Sequence, residues 1–194
     1  MKSKCLSVLI MLMVICSSAF AETYYESGSQ IFSINAGVEV PLTLTNFGNG
    51  NTTVGPGEGG THLSVGGIGS IDYQVFFNPY FAVGGELGYQ FNFALDGNLF
   101  TSVPIHLKLT YVPLQGRFEI PISLGLGANY ISYDSMSKIC LSASFDVGFR
   151  YFFSDEWGLG LKTGISIIPE LYTDSSKNSL ITQIPAILSV SYRH

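Results

Sequence analysis

The chain has 194 residues, of which 46% are hydrophobic and only 12% carry a charge, and its formal net charge is −5. A nucleic-acid partner is disfavoured, because neutralising phosphates requires clusters of basic side chains and the 9 Lys and Arg residues form none. Beyond the N-terminal segment, no stretch approaches the roughly 20 continuous apolar residues that a membrane-spanning helix needs. Any crossing of a membrane by the rest of the chain must therefore rest on β-strands. The length fits a single domain.

The N-terminal segment predicts a secretory signal peptide. Lys2 and Lys4 precede an apolar run over residues 5–15, and residues 19–21, Ala-Phe-Ala, form a small-x-small cleavage site. We therefore predict a cleaved signal peptide over residues 1–21 and one domain over residues 22–194. The remaining chain would carry 7 basic against 14 acidic residues, a net charge of −7.

Cysteine usage adds one alternative for the same segment. A lipid attached to Cys16 would make the protein a lipoprotein, but Ile15 is bulkier than the small residue that normally precedes such a cysteine. If residues 1–21 are removed, Cys140 is the one cysteine left in the sequence. An internal disulfide is then excluded.

Eight segments alternate apolar residues with small or polar ones. This two-residue period is typical of a strand that has lipid on one side and a crowded, polar lumen on the other. The segments cover residues 31–42, 62–75, 80–93, 100–111, 117–130, 141–153, 157–167 and 184–192. The pattern predicts an all-β fold, an eight-stranded antiparallel up-and-down transmembrane β-barrel.

The connections between the segments orient this barrel. Long polar links are followed by tight turns in strict alternation, and in such barrels the long loops lie outside the cell and the tight turns in the periplasm. The long links cover residues 43–61, 94–99, 132–140 and 168–183, and the tight turns cover residues 76–79, 112–116 and 154–156. Aromatic residues crowd the turns, as an interfacial girdle requires. A soluble β-sandwich with an aromatic core is the alternative fold.

Four prolines conflict with the strand pattern. Pro41, Pro104, Pro121 and Pro185 lie inside predicted strands, where each removes a hydrogen-bond donor from a sheet that has no free edge. Bulges that face the lumen would reconcile them with a barrel.

The inward positions predict a lumen closed by paired charges. Many of them are glycines, which leave room for long charged side chains. The predicted network consists of Glu39, Asp72, Glu86, His106, Lys108, Arg117, Glu119, Asp146, Arg150, Lys162 and Arg193. Burying any of these charges unpaired costs several kcal/mol. A water-filled pore is the alternative, although an eight-stranded barrel is only wide enough for its own side chains.

A second zone of the lumen lies toward the long loops. There the inward positions include isoleucines, which would form an apolar cup above the charged network and could hold a small hydrophobic ligand. The predicted cup residues are Ile68, Ile131, Ile168, Ile181 and Ile187. The alternative is that these side chains simply pack beneath the loops.

A catalytic arrangement is a further alternative, because some eight-stranded barrels modify lipid A with a His/Ser/acid set. His62 and Ser64 have the His-x-Ser spacing, and Glu39 on the neighbouring strand could orient the imidazole. All three positions face the lumen, however, whereas a lipid substrate approaches from outside. We predict no enzyme and no catalytic, cofactor or metal site, since the sequence contains no Cys/His cluster, phosphate loop or nucleophile elbow.

Several segments resemble a known family. Residues 118–128, FEIPISLGLGA, and 183–193, QIPAILSVSYR, look like the Ile-Pro-led strands of the small eight-stranded outer-membrane β-barrel (porin-like; OmpA/OmpX/OmpW-type) family. Residues 78–89, NPYFAVGGELGY, resemble the opening of a strand in that family. Members of this family usually end in Phe, where this chain has His194.

We therefore expect a monomeric protein in the outer membrane of a diderm bacterium, surrounded by outer-membrane lipid, with its long loops at the cell surface. The expected role is structural or one of interaction, for example with host surface molecules through the extracellular loops. The resemblance to OmpW-like barrels implies an alternative, the binding or passage of small hydrophobic molecules. A lipid A-modifying enzyme is the third alternative.

Overall fold

The structure is a computed structural model, and it describes residues 24–134, 136–171 and 178–194. The predicted signal peptide lies outside these residues. The strands are β1 Gln30–Asn46, β2 Thr52–Val54, β3 Gly66–Asn78, β4 Phe81–Phe93, β5 Leu99–Tyr111, β6 Phe118–Glu119, β7 Ile122–Tyr133, β8 Met136–Phe152, β9 Trp157–Glu170 and β10 Ser179–Arg193. Within the described ranges, no helix is long and apolar enough to cross a membrane.

The strands close into one antiparallel barrel. Each barrel strand pairs with its neighbour in sequence, and β10 returns to pair with β1 from Ile31 opposite Arg193 to Asn46 opposite Ser179. β6 and β7 both pair with β8 in one continuous register and form a single barrel strand, whereas β2 is a short partner of the end of β1. The predicted eight-stranded antiparallel barrel is therefore confirmed.

The outer face of the barrel is apolar. Leu107, Leu126 and Leu188 on three different strands are each about two thirds exposed, although a soluble sandwich would bury such residues. Aromatic rings pair on the same face near the tight turns, as for Phe81 with Tyr111 at 4.9 Å between centroids and Trp157 with Tyr192 at 5.0 Å. This surface has the composition of a lipid-facing barrel wall with an interfacial aromatic belt.

At the long-loop end, the strand bounds differ from those that the sequence predicts. β1 continues to Asn46 and β8 begins at Met136, whereas the predicted second strand begins only at Gly66. Residues 62–65 precede that strand because His62 adopts a left-handed backbone conformation with φ of 60°. We call the long-loop end the upper end and the tight-turn end the lower end.

One proline causes the predicted bulge. Between Pro41 and Thr43 the register of β1 on β10 shifts, so the side chains that follow change face. At Pro104, Pro121 and Pro185 the register runs on unchanged, so the bulges predicted there are wrong. These prolines interrupt single hydrogen bonds and leave the alternation of faces intact.

Candidate functional site

The lower end of the lumen is closed around a buried carboxylate. Glu119 on β6 is fully buried and accepts from Arg193 Nη1 at 2.8 Å and from Arg150 Nη1 at 3.4 Å. The hydroxyl of Tyr25 donates to the same carboxylate at 2.6 Å. Two guanidinium groups and one hydroxyl therefore satisfy one acid, and we call these four residues the lower plug.

The segment before β1 holds the lower plug in place. The ring of Tyr25 stacks on Phe76 with 4.0 Å between centroids, and the Gln115 side-chain oxygen accepts from the backbone N–H groups of Tyr24 and Tyr25 at 3.0 and 3.3 Å. The Arg193 guanidinium lies 3.6 Å from the centroid of the Tyr24 ring. Sequence reasoning missed these tyrosines, and the adjacent aromatic pair in an otherwise polar link was the available signal.

A second charged group fills the middle of the barrel. Lys108 on β5 is almost completely buried, and its ammonium lies 2.8 Å from Glu86 Oε2 and 3.1 Å from Asp146 Oδ2. Lys162 approaches the other oxygen of Glu86 at 3.5 Å. We call these four residues the Lys108 cluster. Both acids are therefore paired with Lys108, and these charged side chains lie across the middle of the lumen.

Neutral polar partners complete the same layer. Asp72 accepts from Asn35 Nδ2 at 2.8 Å and from Gln74 Nε2 at 3.1 Å, and His106 Nε2 lies 2.7 Å from the Ser142 hydroxyl. At position 125, a Cβ would clash with the Ser144 hydroxyl and would lie 3.2 Å from His106 Nδ1, so the glycine leaves room for both side chains. Inward glycines therefore make the space that larger polar side chains fill.

Arg117 is a correction to the predicted network. It lies exposed at the lower mouth, just before β6, although its parity with Glu119 predicts an inward position. Gly116 with φ of 122° turns the chain there, and Arg193 fills the lumen at this level, donating to the Gly116 carbonyl at 2.8 Å. A charge at the mouth keeps its hydration, which costs less than burial without an acid.

Glu39 is the second departure from a complete pairing. It is fully buried on β1, and neither of its carboxylate oxygens has a hydrogen-bond partner among the described residues. With Arg117 outside the lumen, the predicted network retains five acids against the bases Lys108, Arg150, Lys162 and Arg193. Glu39 is the acid whose carboxylate is left unsatisfied.

The upper end of the lumen is an open cavity of about 570 Å³, which we call the upper cup. Its floor is a cluster of buried apolar side chains, Phe100, Ile131, Ile168 and Ile181, against which Leu44 and Leu63 pack. The cavity is lined by Leu44, Thr61, Leu63, Phe100, Ile131, Tyr133, Met136, Ser137, Lys138, Glu170 and Ile181. Its volume is that of a small-molecule site.

The predicted cup residues divide into two groups. Ile131 and Ile181 line the upper cup and Ile168 packs in its floor, whereas Ile68 and Ile187 line a separate cavity of about 30 Å³ in the middle of the barrel. Assigning Ile68 and Ile187 to the cup is therefore a correction. Both sit several inner-face positions lower on their strands, opposite Gly37.

Sequence reasoning missed most of the residues that line the upper cup, among them Leu44, Leu63 and Phe100. Leu44 faces inward only because the bulge at Pro41 reverses the phase of β1, and Leu63 lies outside the regular strands. Phe100 shares the inward parity of β5, so the alternation alone could have found it.

The rim of the upper cup carries polar and charged side chains. Lys138 Nζ lies 2.8 Å from Glu170 Oε1, and the Ser179 hydroxyl donates to Glu170 Oε2 at 2.5 Å. Across the rim, the Tyr133 hydroxyl donates to the Asp96 carboxylate at 2.7 Å, and this hydrogen bond holds the pKa of Asp96 below its ordinary value. An apolar floor beneath a charged rim suits a molecule with an apolar body.

The residues considered for catalysis do not form a triad. His62 is exposed, the Ser64 hydroxyl donates to the Phe93 carbonyl at 2.9 Å, and the Glu39 carboxylate has no hydrogen-bond partner in the described part of the chain. Glu39 therefore does not orient His62, and the serine is engaged by the backbone.

Comparisons with known proteins agree with the fold. A protein-family model matches residues 14–192. An uncharacterized protein of Treponema pallidum (strain Nichols) is 32% identical over 136 residues, 69% of this chain and 62% of that protein. An uncharacterized protein of Borreliella burgdorferi is 31% identical over 122 residues, 52% of this chain and 58% of that protein. The chain thus spans about 60% of the length of these relatives.

Among solved structures, the chain resembles Neisserial surface protein A. The TM-score is 0.59 at 15% sequence identity, and the match covers 84% of this chain and 97% of that one. This likeness concerns the fold, that of small outer-membrane β-barrels.

Proposed function

We propose that this chain, which belongs to the family whose model matches residues 14–192, binds a small apolar molecule in the upper cup. Its fold is that of an outer-membrane β-barrel protein. One observation carries the proposal: an apolar cavity of about 570 Å³ opens at one end of a lumen that ion pairs close at the other. This arrangement supports binding at the cell surface without passage through the barrel.

Cys140 provides a native probe of the upper cup. It packs against the apolar floor cluster and is only partly buried, and the described residues contain no other cysteine. The rate at which N-ethylmaleimide alkylates Cys140 can be measured in nanodiscs with increasing 1-decanol. We expect saturable protection in the wild type.

Two tryptophan variants make this measurement specific. Ile131→Trp fills part of the upper cup and should abolish the dependence of the alkylation rate on decanol, whatever the rate without decanol. Leu188→Trp adds the same side chain to the lipid face, where Leu188 is 67% exposed, and should retain it. Protection that persists in Ile131→Trp would show that decanol acts through the bilayer and would refute the proposal.

Ion conductance tests the closed lumen separately. In planar bilayers we expect the wild type to be almost non-conducting, because Lys108, Glu86 and Asp146 fill the middle of the barrel. A steady current on the nanosiemens scale would contradict a closed lumen and make transport through the barrel the leading function.

An interaction role at the cell surface is the second candidate. It is favoured by the hairpin in which β2 pairs with residues 43–45 of β1 and carries exposed apolar side chains, Phe47 and Val54. Replacing residues 47–51 by a Gly/Ser sequence of equal length should abolish adhesion of cells to host surfaces while leaving the protection of Cys140 by decanol intact. Unchanged adhesion would remove this candidate.

A further inference from the structure

The upper half of the lumen contains a buried acid, Glu39, that no basic side chain of the described residues contacts. Of the predicted lumen charges that remain inside, five are acidic and four are basic, and the basic groups lie 2.8 to 3.5 Å from Glu86, Glu119 and Asp146. Glu39 is completely buried, and neither of its carboxylate oxygens has a hydrogen-bond partner among the residues that the structure describes. A buried carboxylate without a partner is costly to hold in its charged form, so a cation supplied from outside would stabilise the ionised form of Glu39 by pairing with it.

Glu39 lies below the upper cup on the same two strands that line it. Leu44 of the cup is opposite Ile181, Pro41 is opposite Gln183, and Glu39 is opposite Pro185. Glu39 is therefore two inner-face positions below the cup wall, about 13 Å along the strands. A molecule seated on the apolar floor would need a polar end that extends over this distance to meet Glu39.

Two polar groups, one in the lining of the cup and one between the cup and Glu39, have no hydrogen-bond partner for their oxygen. Gln183 Oε1 and the Thr61 hydroxyl oxygen, both from buried residues, have no partner within the described chain. The Gln183 side chain is held by one long hydrogen bond from its Nε2 to Asn92 Oδ1 at 3.3 Å. The Asn92 amide donates to backbone carbonyls, those of Ser64 and Glu39, so it does not serve the Glu39 carboxylate.

We infer that the molecule bound by the upper cup carries one protonated amine, whose charge lies between Gln183 Oε1 and the Glu39 carboxylate. This inference rests on the proposed function and names the class of ligand, a cationic amphiphile. An ammonium group has three donors and no acceptor, which matches a column of acceptors ending in an acid. To reach Glu39, the ammonium group would displace the Gln183 side chain, whose amide donates a 3.3 Å hydrogen bond to Asn92 Oδ1. A carboxylate ligand would meet the same charge and be repelled.

The alkylation of Cys140 by N-ethylmaleimide in nanodiscs of zwitterionic lipid tests this class. Decylamine, 1-decanol and decanoate share a ten-carbon chain and differ in head group. We expect decylamine to protect the wild type at a concentration about tenfold lower than 1-decanol, because charge-assisted hydrogen bonds are about twice as strong as neutral ones. Decanoate should protect least.

Two single substitutions locate the effect. Glu39→Gln keeps the size of the side chain and removes its charge, and should bring the concentrations of decylamine and 1-decanol needed for protection to about the same value. Glu58→Gln removes one acid from the exposed upper loop and should leave the tenfold preference unchanged. Partitioning of the amine into the bilayer is the same for all variants, so the comparison between them cancels it.

The outcomes separate this inference from the proposed function. Equal protection by decylamine and 1-decanol in the wild type overturns the amine and leaves apolar binding intact, whereas no protection by any probe overturns both. If Na⁺ or K⁺ raises the urea midpoint of the wild type but not of Glu39→Gln, and decylamine shows no preference, an inorganic cation compensates Glu39 and the inference is wrong.

Discussion

The lower plug and the upper cup are built on the same strands and differ in how completely their side chains satisfy one another. In the lower plug, Glu119 has three partners within 3.4 Å. In the upper cup, a cavity of about 570 Å³ remains, and the hydroxyl of Thr61 in its lining has no partner in the described structure. The comparison teaches that the same barrel can be filled by paired charged side chains at one end and can keep an apolar cavity, open to a ligand, at the other.

The largest expected effect comes from the Lys108 cluster. Glu86→Gln combined with Asp146→Asn leaves the Lys108 ammonium buried without an acid, and we expect the free energy of unfolding to fall by about 3–5 kcal/mol. Urea unfolding in lipid vesicles measures it. Adding Lys108→Met to the double variant should restore part of the loss. A double variant as stable as the wild type would mean that water solvates this layer.

The position of the barrel in the bilayer gives the next effect. Leu107 and Ile139 are both outward and more than two thirds exposed, but Leu107 lies in the middle of β5 and Ile139 near the upper end of β8. Leu107→Arg should cost about 2–4 kcal/mol of unfolding free energy and Ile139→Arg about 0–1 kcal/mol. Equal costs in the same urea titration would contradict the proposed depth of the barrel.

The lower plug predicts a smaller change. Tyr25→Phe removes the hydroxyl that donates to Glu119 at 2.6 Å, and we expect a loss of about 1.5–3 kcal/mol, as for hydrogen bonds to charged groups. Tyr24→Phe is the matched control, since the Tyr24 hydroxyl donates to a backbone carbonyl in an exposed position. If both variants lose the same stability, the hydrogen bond to Glu119 is not what stabilises the plug.

The smallest effect is expected at the rim of the upper cup. Lys138→Met breaks the 2.8 Å pair with Glu170, in which both side chains are partly exposed. Exposed pairs of this kind contribute about 0.2–1 kcal/mol. The unfolding free energy should therefore change by less than about 1 kcal/mol, and the difference should shrink further in high salt. A loss comparable to that of the Lys108 cluster would erase the contrast between the two ends.

The sequence predicts the barrel and most inward positions because both depend on a period of two that each strand displays locally. The alternation assigns Leu44 to the wrong face, because the bulge after Pro41 reverses the phase of β1. It also assigns Arg117 wrongly, because this residue lies outside the strand, at the lower mouth. The volume of the upper cup and the missing partner of Glu39 depend on side chains from several strands. Neither is visible until those strands are placed around a common axis.

The contacts of Tyr24 and Tyr25 have a consequence for the kinetics of unfolding. They join the segment before β1 to Asp155, Glu119 and Gln115, which lie 131, 94 and 91 residues away along the chain. Contacts between such distant residues bear a large loop-closure entropy and form after the local hairpins. Interactions made after the rate-limiting barrier slow unfolding and leave the folding rate almost unchanged. The contacts of the two tyrosines should therefore slow the unfolding of the barrel and lengthen the lifetime of the folded state.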